Sequence, residues 1–281
     1  MTSEEYRTES RRRWTASATG WEARADATRQ MTMPVSAWMV EAIAPQPGQT
    51  VLELAAGPGD TGFLAAELIQ PGGTLITSDA IPDMLSVAQR RAEALEITNV
   101  RFRQIDAEVI DIEAGSIDGV LCRWGYMLLT DPGAALRETR RVLRQGGRVA
   151  LAAWAEPEAN PWAVLPPREL IARGLMEPPD RSGPGQFFWG PEGAIGEALE
   201  EAGFLDYEVG SIEFGFRYPS AREWWEATRD LAAGLRSVTS DMDADAQASV
   251  VASLEEAVRG WTADDGSIAL PARTWVAVAA A

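Results

Sequence analysis

Residues 51–62 read VLELAAGPGDTG: an apolar run that holds one acid, Glu53, and stops at closely spaced glycines. No other stretch limits the fold as strongly. The run has the composition of a buried strand, and glycine, lacking a Cβ, lets the chain turn tightly and lets a ligand approach the backbone. A helix is expected to open at about Thr61, with free N–H groups at its start that favour an anionic or polar ligand group. Gly57, Gly59 and Gly62 satisfy G-x-G-x-x-G, a pattern of dinucleotide sites. The match is loose by itself, so its surroundings have to decide.

Those surroundings alternate. A strand is predicted over 50–54 after the turn at 45–48, a helix over 61–69, a break at Pro71-Gly72-Gly73 and a strand over 74–78. Met84, Leu85, Ala88, Ala92 and Leu95 then recur at helical spacing. Val100 and Phe102 alternate with Arg101 and Arg103, which suggests a strand near a sheet edge. A strand over 117–122, a helix over 132–143 and a strand over 148–154 after Gly146-Gly147 complete the unit. This order implies a parallel sheet covered on both faces. Ligands in such sheets bind beyond the carboxyl ends of the strands, so the loops after residues 54, 78, 104 and 122 should converge. Beyond 154, Pro157, Pro161, Pro166-Pro167 and Pro178-Pro179 suggest an irregular insert, followed by a helix over 191–202 and a strand over 206–218. Helices over 220–236 and 244–260 and a strand over 273–279 close the chain. The 281 residues suit one α/β domain with additions. These are an N-terminal helical cap (1–47), a ligand-binding core (48–154) and the rest of the sheet (155–281), with covering insertions at 155–190 and 220–262.

Composition removes several chemistries. All 25 basic residues are arginine; lysine and histidine are absent. A Schiff-base enzyme needs a lysine amine, a phosphate loop needs its lysine, and a Ser-His-Asp triad needs an imidazole. The single Cys122 excludes an intrachain disulfide and a multi-thiolate zinc site. The net charge of −17 repels a phosphate backbone and argues against nucleic acid as a partner. That charge is concentrated between 196 and 265, where 16 acids face 5 arginines, as on a solvated helical surface. Asp241, Asp243 and Asp245 open like a calcium loop, but Ala246 and Ala252 stand where glycine and glutamate are needed, so no metal is expected. Ser240 or Asp241 is expected to cap the next helix instead. No secretory pattern opens the chain and no apolar run has membrane-spanning length, so a cytoplasmic protein is expected.

Three acids mark the strand ends. Glu53 lies in the first strand. Asp79 ends the second, twenty positions after Gly59, where a carboxylate can accept both ribose hydroxyl protons. Asp106 ends the third, where it could meet an adenine amino group. A nicotinamide-dinucleotide oxidoreductase would need the glycines and Asp79 but neither Glu53 nor Asp106, and would usually employ a lysine or histidine for proton transfer. At this point the sequence resembles the class I S-adenosylmethionine-dependent methyltransferases, in particular the ubiquinone/menaquinone-biosynthesis-like "type 11" group. The resemblance rests on VLELAAGPG at 51–59, Ser78-Asp79 followed by Met84-Leu85, QIDA at 104–107, SIDGVLCR at 116–123 and RVLRQGG at 141–147, and covers about 49–154. Ala55 departs from it, since the family more often has glycine there, and Pro82 stands between Asp79 and Met84.

The resemblance implies a Rossmann-like sheet of seven mostly parallel strands with helices on both faces. N-terminal helices and helical insertions would form a lid. The last strand would be antiparallel, in a hairpin of 207–218 with 273–279. It implies S-adenosylmethionine as cofactor and S-adenosylhomocysteine as product, without metal. Gly57 and Gly59, with Ala55 in the same turn, would pass the methionine moiety, and Glu53 would steady the turn or the amino group. Asp79 would hold the ribose, while Ala80 and Met84 line the adenine. Asp106 and the Ala107 backbone would meet the adenine, and Arg123 would close the site through the loop after the fourth strand.

Methyl transfer from a sulfonium is an in-line displacement, so alignment matters more than a strong base. Tyr126 and Asp131 are positional candidates for a base; Asp131, before Pro132, reads equally as a helix N-cap. Cys122 reads as a buried inert thiol. Nine of the 11 tryptophans lie outside 48–154. Trp124, Tyr126, Met127, Trp21 and Trp38 are the candidates to surround a small aromatic or lipophilic methyl acceptor. Added helices that need large side chains to pack explain the tryptophans equally well. A non-catalytic cofactor-binding module is a further alternative, and the chain is expected to be a monomer or homodimer.

Overall fold

The apolar run of 51–54 forms the middle of a sheet. The structure, a computed structural model, describes residues 2–180 and 183–281. Strands β1 (Thr50–Glu53), β2 (Thr74–Asp79), β3 (Val100–Gln104), β4 (Ile117–Arg123), β5 (Leu143–Trp154), β6 (Asp206–Tyr218) and β7 (Ile268–Ala280) make one seven-stranded sheet in the order β3-β2-β1-β4-β5-β7-β6. β1 to β5 are parallel, and β7 runs antiparallel to both β5 and β6. This is the expected Rossmann-like architecture, with β3 at the edge where its alternating arginines reach solvent.

Helices α2 (Asp60–Leu68), α3 (Pro82–Ala94) and α4 (Pro132–Val142) connect the parallel strands, and α6 (Ala194–Glu201) precedes the hairpin. One core layer joins Leu52, Val120, Leu136 and Leu151; the other joins Val51, Phe63, Leu75 and Leu121. Every strand of the centre is thus apolar on both sides, as parallel strands must be. Gly146-Gly147, expected to form a turn before β5, instead lies inside it. The pairing jumps from Ile117↔Leu143 to Gly119↔Arg148, and Gly146 takes a φ of +73°.

The N-terminal cap is one helix rather than several. α1 (Ser3–Ile43) has 41 residues and starts on a capping box between Thr2 and Glu5. At about 1.5 Å per residue it is roughly 60 Å long, enough to cross the molecule. Pro34 lies inside it and deprives the Gln30 carbonyl of its helical donor, but that carbonyl belongs to an exposed residue. The second half packs Val35, Met39, Val40 and Ile43 onto Val51, Phe63 and Ala65. The first half runs over the carboxyl ends of the strands. There Trp14 and Trp21 cover Ile81, Met84 and Val87, Arg7 pairs with Glu108 at 2.5 Å, and the Tyr6 hydroxyl donates to the Leu128 carbonyl at 3.1 Å.

The proline-rich insert also holds more structure than its composition suggests. α5 (Pro161–Ala172) contains Pro166 and Pro167. Pro166 cannot donate to the Trp162 carbonyl, and the indole of Trp224 does so instead, at 3.3 Å. The tertiary partner thus replaces the bond that the sequence removes. The predicted helix over 220–236 divides at Ala232 into α7 (Ala221–Leu231) and α8 (Ala233–Thr239), and α9 (Ala244–Ala257) follows. Trp224 and Trp225 pack there with Leu170, Val250 and Leu254. Asp243, not Ser240 or Asp241, caps α9 by accepting from the Ala246 amide at 2.8 Å. No helix among the described residues is long and apolar enough to cross a membrane.

The two halves of α1 should respond differently to mutation. Met39→Ala, in the buried half, is expected to cost about 2–5 kcal/mol of unfolding free energy. Arg11→Ala, exposed on the first half, should stay within about 0.5 kcal/mol. Urea denaturation of both variants checks this.

Candidate functional site

The turn after β1 is built from left-handed residues: Ala55, Gly57 and Gly59 have φ of +49°, +52° and +85°. Their neighbours fix it. The Ala56 amide donates to the Ser78 carbonyl at 2.9 Å, the Ser78 hydroxyl to the Glu53 carbonyl at 2.7 Å, and the Gly57 amide to Asp79 Oδ2 at 2.9 Å. The Gly62 amide, in the first turn of α2, donates to Glu53 Oε1 at 2.8 Å, and a Cβ at Gly62 would meet Glu53 Oε2 at 2.3 Å. A Cβ on Gly57, by contrast, would meet nothing within 4 Å. Gly57 therefore borders open space. The loop after β4 presses in from the side: a Cβ on Gly125 would lie 2.7 Å from both Ala55 Cβ and Cys122 Sγ.

Two of the three acids share one buried neighbourhood. Glu53 is 3% exposed, and burial pushes its carboxyl up to about 8, against the pull of the Gly62 amide and Arg123. Its Oε2 has no hydrogen-bond partner among the described residues. Asp79 is 8% exposed and is likewise raised by burial, opposed by bonds from the Ile81 and Gly57 amides. Its oxygens accept from the Ile81 amide at 2.9 Å and the Gly57 amide at 2.9 Å, and the Ala80 amide adds a further backbone bond, which still leaves a lone pair for another donor. The third acid, Asp106, sits at the rim. The Ile105 amide bonds the Asp79 carbonyl at 3.2 Å and keeps the end of β3 alongside, while Asp106 accepts from the Glu108 amide at 3.0 Å and lies 3.7 Å from Arg11 of α1. Ala80 is half-buried between these acids, Met84 is buried beneath Trp14 and Trp21, and Ala107 is buried in the core.

β4 ends in an ion and an aromatic ring. Arg123 donates to the Thr32 hydroxyl of α1, and its guanidinium carbon lies 4.7 Å from the Trp124 ring centre. Trp124 has a φ of +59°, a strained conformation for a bulky residue, which its surroundings enforce. Its ring stacks on Trp154 at 4.2 Å and 12°, and its indole N–H donates to the Thr274 hydroxyl at 2.9 Å. Trp162, Phe214 and Phe216 complete the aromatic group. Sequence reasoning missed the β6 pair, although Phe214 and Phe216 alternate along one face and were legible in principle. It also missed Thr32, Arg11 and Asp60, which carried no periodic or motif signal.

Several expected site residues lie elsewhere. Tyr126 is buried with its hydroxyl against the Thr139 hydroxyl at 2.6 Å and its ring beside Trp189, and burial holds it well above the usual phenol range. It is a core residue, unsuited to act as a base. Asp131 is the N-cap of α4, accepting from the Ala134 amide at 2.8 Å. Met127 is buried in the same core layer as Tyr126. Trp38 lies at the opposite end of the sheet, beside Arg148, Asp206 and Ala280 at the amino ends of β5 and β6 and the end of β7, because the helix that carries it runs away from the site. Trp21 stands over Ile81 and Met84, on the Asp79 side rather than beside Trp124. Cys122 is buried and pushed up to about 12, an inert thiol.

Comparison with known proteins adds to this geometry. Residues 45–165 match a methyltransferase domain family. Nocamycin O-methyltransferase of Saccharothrix syringae is 28% identical over 230 residues, 79% of this chain and 81% of that protein. Demethylmenaquinone methyltransferase of Thermus thermophilus is 36% identical over 115 residues, 41% of this chain and 51% of that protein. A ubiquinone/menaquinone biosynthesis C-methyltransferase of Pasteurella multocida is 32% identical over 119 residues, 42% of this chain and 44% of that protein. Apart from the nocamycin enzyme, the chain spans about half or less of the length of these curated relatives. Among solved structures, the YcgJ protein of Bacillus subtilis shares the fold, with a TM-score of 0.57 at 18% identity over 87% of this chain and 97% of that one.

The buried acids set a pH dependence in the ligand-free protein. Glu53 moves from 4.5 to about 8 on folding, so the folded state binds a proton that the unfolded chain releases between those values. Unfolding free energy then falls as pH rises. The contribution is complete below the unfolded value and is lost as pH passes the folded one; Asp79 acts in the same direction. The melting temperature should therefore drop across this window. Glu53→Gln, which has no proton to lose, should flatten the slope; equal slopes in both proteins would contradict the account.

Proposed function

The chain belongs to the class I S-adenosylmethionine-dependent methyltransferases of the ubiquinone/menaquinone-biosynthesis-like group, and on that premise we propose that the whole protein methylates a small aromatic or lipophilic molecule by in-line transfer. One observation carries the cofactor reading. Glu53 and Asp79, both buried, bind the two ends of a glycine turn that borders open space, and among the described residues Glu53 Oε2 has no partner while Asp79 accepts only backbone amides. The residues present fit an adenosine with an amino-acid end.

In that reading Asp79 accepts from the ribose hydroxyls, Glu53 Oε2 from the amino group, and Asp106 from the adenine amino group at the rim. Met84 and Ala80 line the ring, with Trp21 above them on α1. S-adenosylmethionine, when bound, supplies a methyl group already activated on a sulfonium. The chain's own part is alignment and exclusion of water, which can supply roughly 7–11 kcal/mol of a barrier. Burial keeps Tyr126 and Cys122 protonated, and Asp131 is spent on capping a helix, so the proposed reaction relies on none of them as a base. The acceptor reading is supported by Trp124, which follows β4 and stacks on Trp154 in an aromatic group with Trp162, Phe214 and Phe216, and by relatives named for nocamycin and demethylmenaquinone.

Calorimetric titration separates this from a nicotinamide enzyme. S-adenosylhomocysteine should bind and NADH should not; binding of NADH alone would overturn the proposal. Asp79→Asn should weaken S-adenosylhomocysteine by more than about tenfold, or 1.4 kcal/mol.

A further inference from the structure

The sheet ends in two edges of unlike character. β3 is short and carries Arg101 and Arg103, and the Arg103 guanidinium donates to the Asp111 carbonyl at 2.8 Å. Short, charged edge strands are a common protection against pairing with another chain. β6, at the other edge, runs for 13 residues, and Phe216 is the one buried residue among them. Among the described residues its backbone pairs with β7 alone. Its outer row of N–H and C=O groups is thus left without a backbone partner, and Val209 is an exposed apolar side chain on the same strand. An open edge of this length is a template for one more strand.

The side chains of β6 select which strand fits. Residues 212–218 read IEFGFRY, a segment complementary to itself when reversed about Gly215. When two antiparallel copies meet about a twofold axis normal to the sheet, opposed side chains lie on one face, and faces alternate along a strand. Paired residue numbers then differ by an even number. Arg217 can therefore oppose odd-numbered residues only, and Glu213 is the one acid of β6 among them; Asp206 and Glu208 lie on the other face. Setting Glu213 against Arg217 puts Gly215 on the axis, Phe214 opposite Phe216 and Ile212 opposite Tyr218. Opposite charges, two aromatic rings, and a β-branched residue beside an aromatic one are the pairs that stabilise neighbouring strands. A ladder centred on Glu213 would instead set that acid against itself. Pro219, which has no N–H, ends the pairing. Glu213 and Arg217 are both exposed and, among the described residues, neither has an ion-pair partner.

We propose that β6 is the contact edge of a homodimer, in which two copies pair antiparallel through 212–218 about Gly215 and join their sheets into one. The twofold axis closes the assembly, because each copy covers the other's long open edge. Backbone bonds and the apolar pairs hold the strands together. The exposed ion pairs add little energy but fix the register. The contact also reaches the aromatic group, since Phe214 and Phe216 pack with Trp154. Across the axis Phe214 faces the partner's Phe216, which makes the aromatic layers of the two copies continuous. This dimer is independent of which cofactor or acceptor the site binds.

Analytical ultracentrifugation of the full chain over a dilution series tests the contact. The wild-type protein should sediment as a dimer. Arg217→Glu sets acid against acid at both ends of the ladder, and Glu213→Arg sets arginine against arginine. Each should weaken the dimer at least about tenfold. Mixed in equal amounts, the two variants should form a heterodimer, because each then opposes the other's charge. Within its own sheet Arg217 stands against Ala269, whereas Glu213 stands against Arg273. Arg217→Glu therefore serves alone if Glu213→Arg does not fold. A wild-type protein that is monomeric at every concentration would overturn the proposal. So would a dimer that Arg217→Glu leaves intact, or two folded variants that stay monomeric when mixed.

Discussion

Two backbone amides gripped by two carboxylates hold the site together. Gly57 donates to Asp79 and Gly62 to Glu53, so the turn after β1 is fastened at one end to β2 and at the other to its own strand. Gly62 leaves no room for a Cβ beside Glu53, and Gly57 supplies the left-handed φ of +52° that the turn requires. Removal of either carboxylate would leave a buried amide unmatched, and the same acids carry the oxygens left over for a ligand. Fold and site therefore draw on one set of groups.

The cost of this arrangement is electrostatic. Glu53 and Asp79 are raised by burial, and Arg123 is lowered by it, so burial disfavours the charged form of all three. Such strain is tolerable because the surrounding layers are densely apolar, with Val51, Leu52 and Leu121 fully buried on the central strands. The roof has a different character. The first half of α1 is fastened by exposed or half-buried pairs such as Arg7–Glu108 and Arg11–Asp106, and its second half by the core. One helix thus belongs to two environments: its second half packs into the core of the sheet, and its first half packs over the site and closely against α7, where a Cβ on Gly20 would collide with the Asp230 carbonyl.

Much of the central architecture is legible in the sequence, since strands β1 to β4 and their helices follow from apolar runs, glycine breaks and acids at strand ends. The reading was weaker wherever a side chain's direction mattered. Tyr126 and Trp124 are two residues apart, yet one turns into the core against Thr139 and Trp189 and the other stacks on Trp154. The left-handed backbone at Trp124 decides this, and no local propensity predicts it. Trp38 failed for a related reason: in a continuous helix of this length, residues seventeen positions apart, such as Trp21 and Trp38, end at opposite ends of the sheet. Pro166 and Pro167 suggested a loop because the indole that rescues the Trp162 carbonyl comes from residue 224, beyond the reach of any local window.

The sequence by itself determined the alternation of strands and helices, the glycine turn, the chemistry excluded by the absence of lysine and histidine, and the acids at the ends of β1 to β3. Each of these is a local property, set by periodicity, residue type and spacing. Tertiary structure alone decided which carboxylate oxygens stay unpartnered, which aromatic rings meet, and that Asp60, Thr32 and Arg123 come together beneath α1. Those outcomes depend on contacts between residues as far apart as 32 and 123, whose energies exist only once the sheet and the long helix have packed.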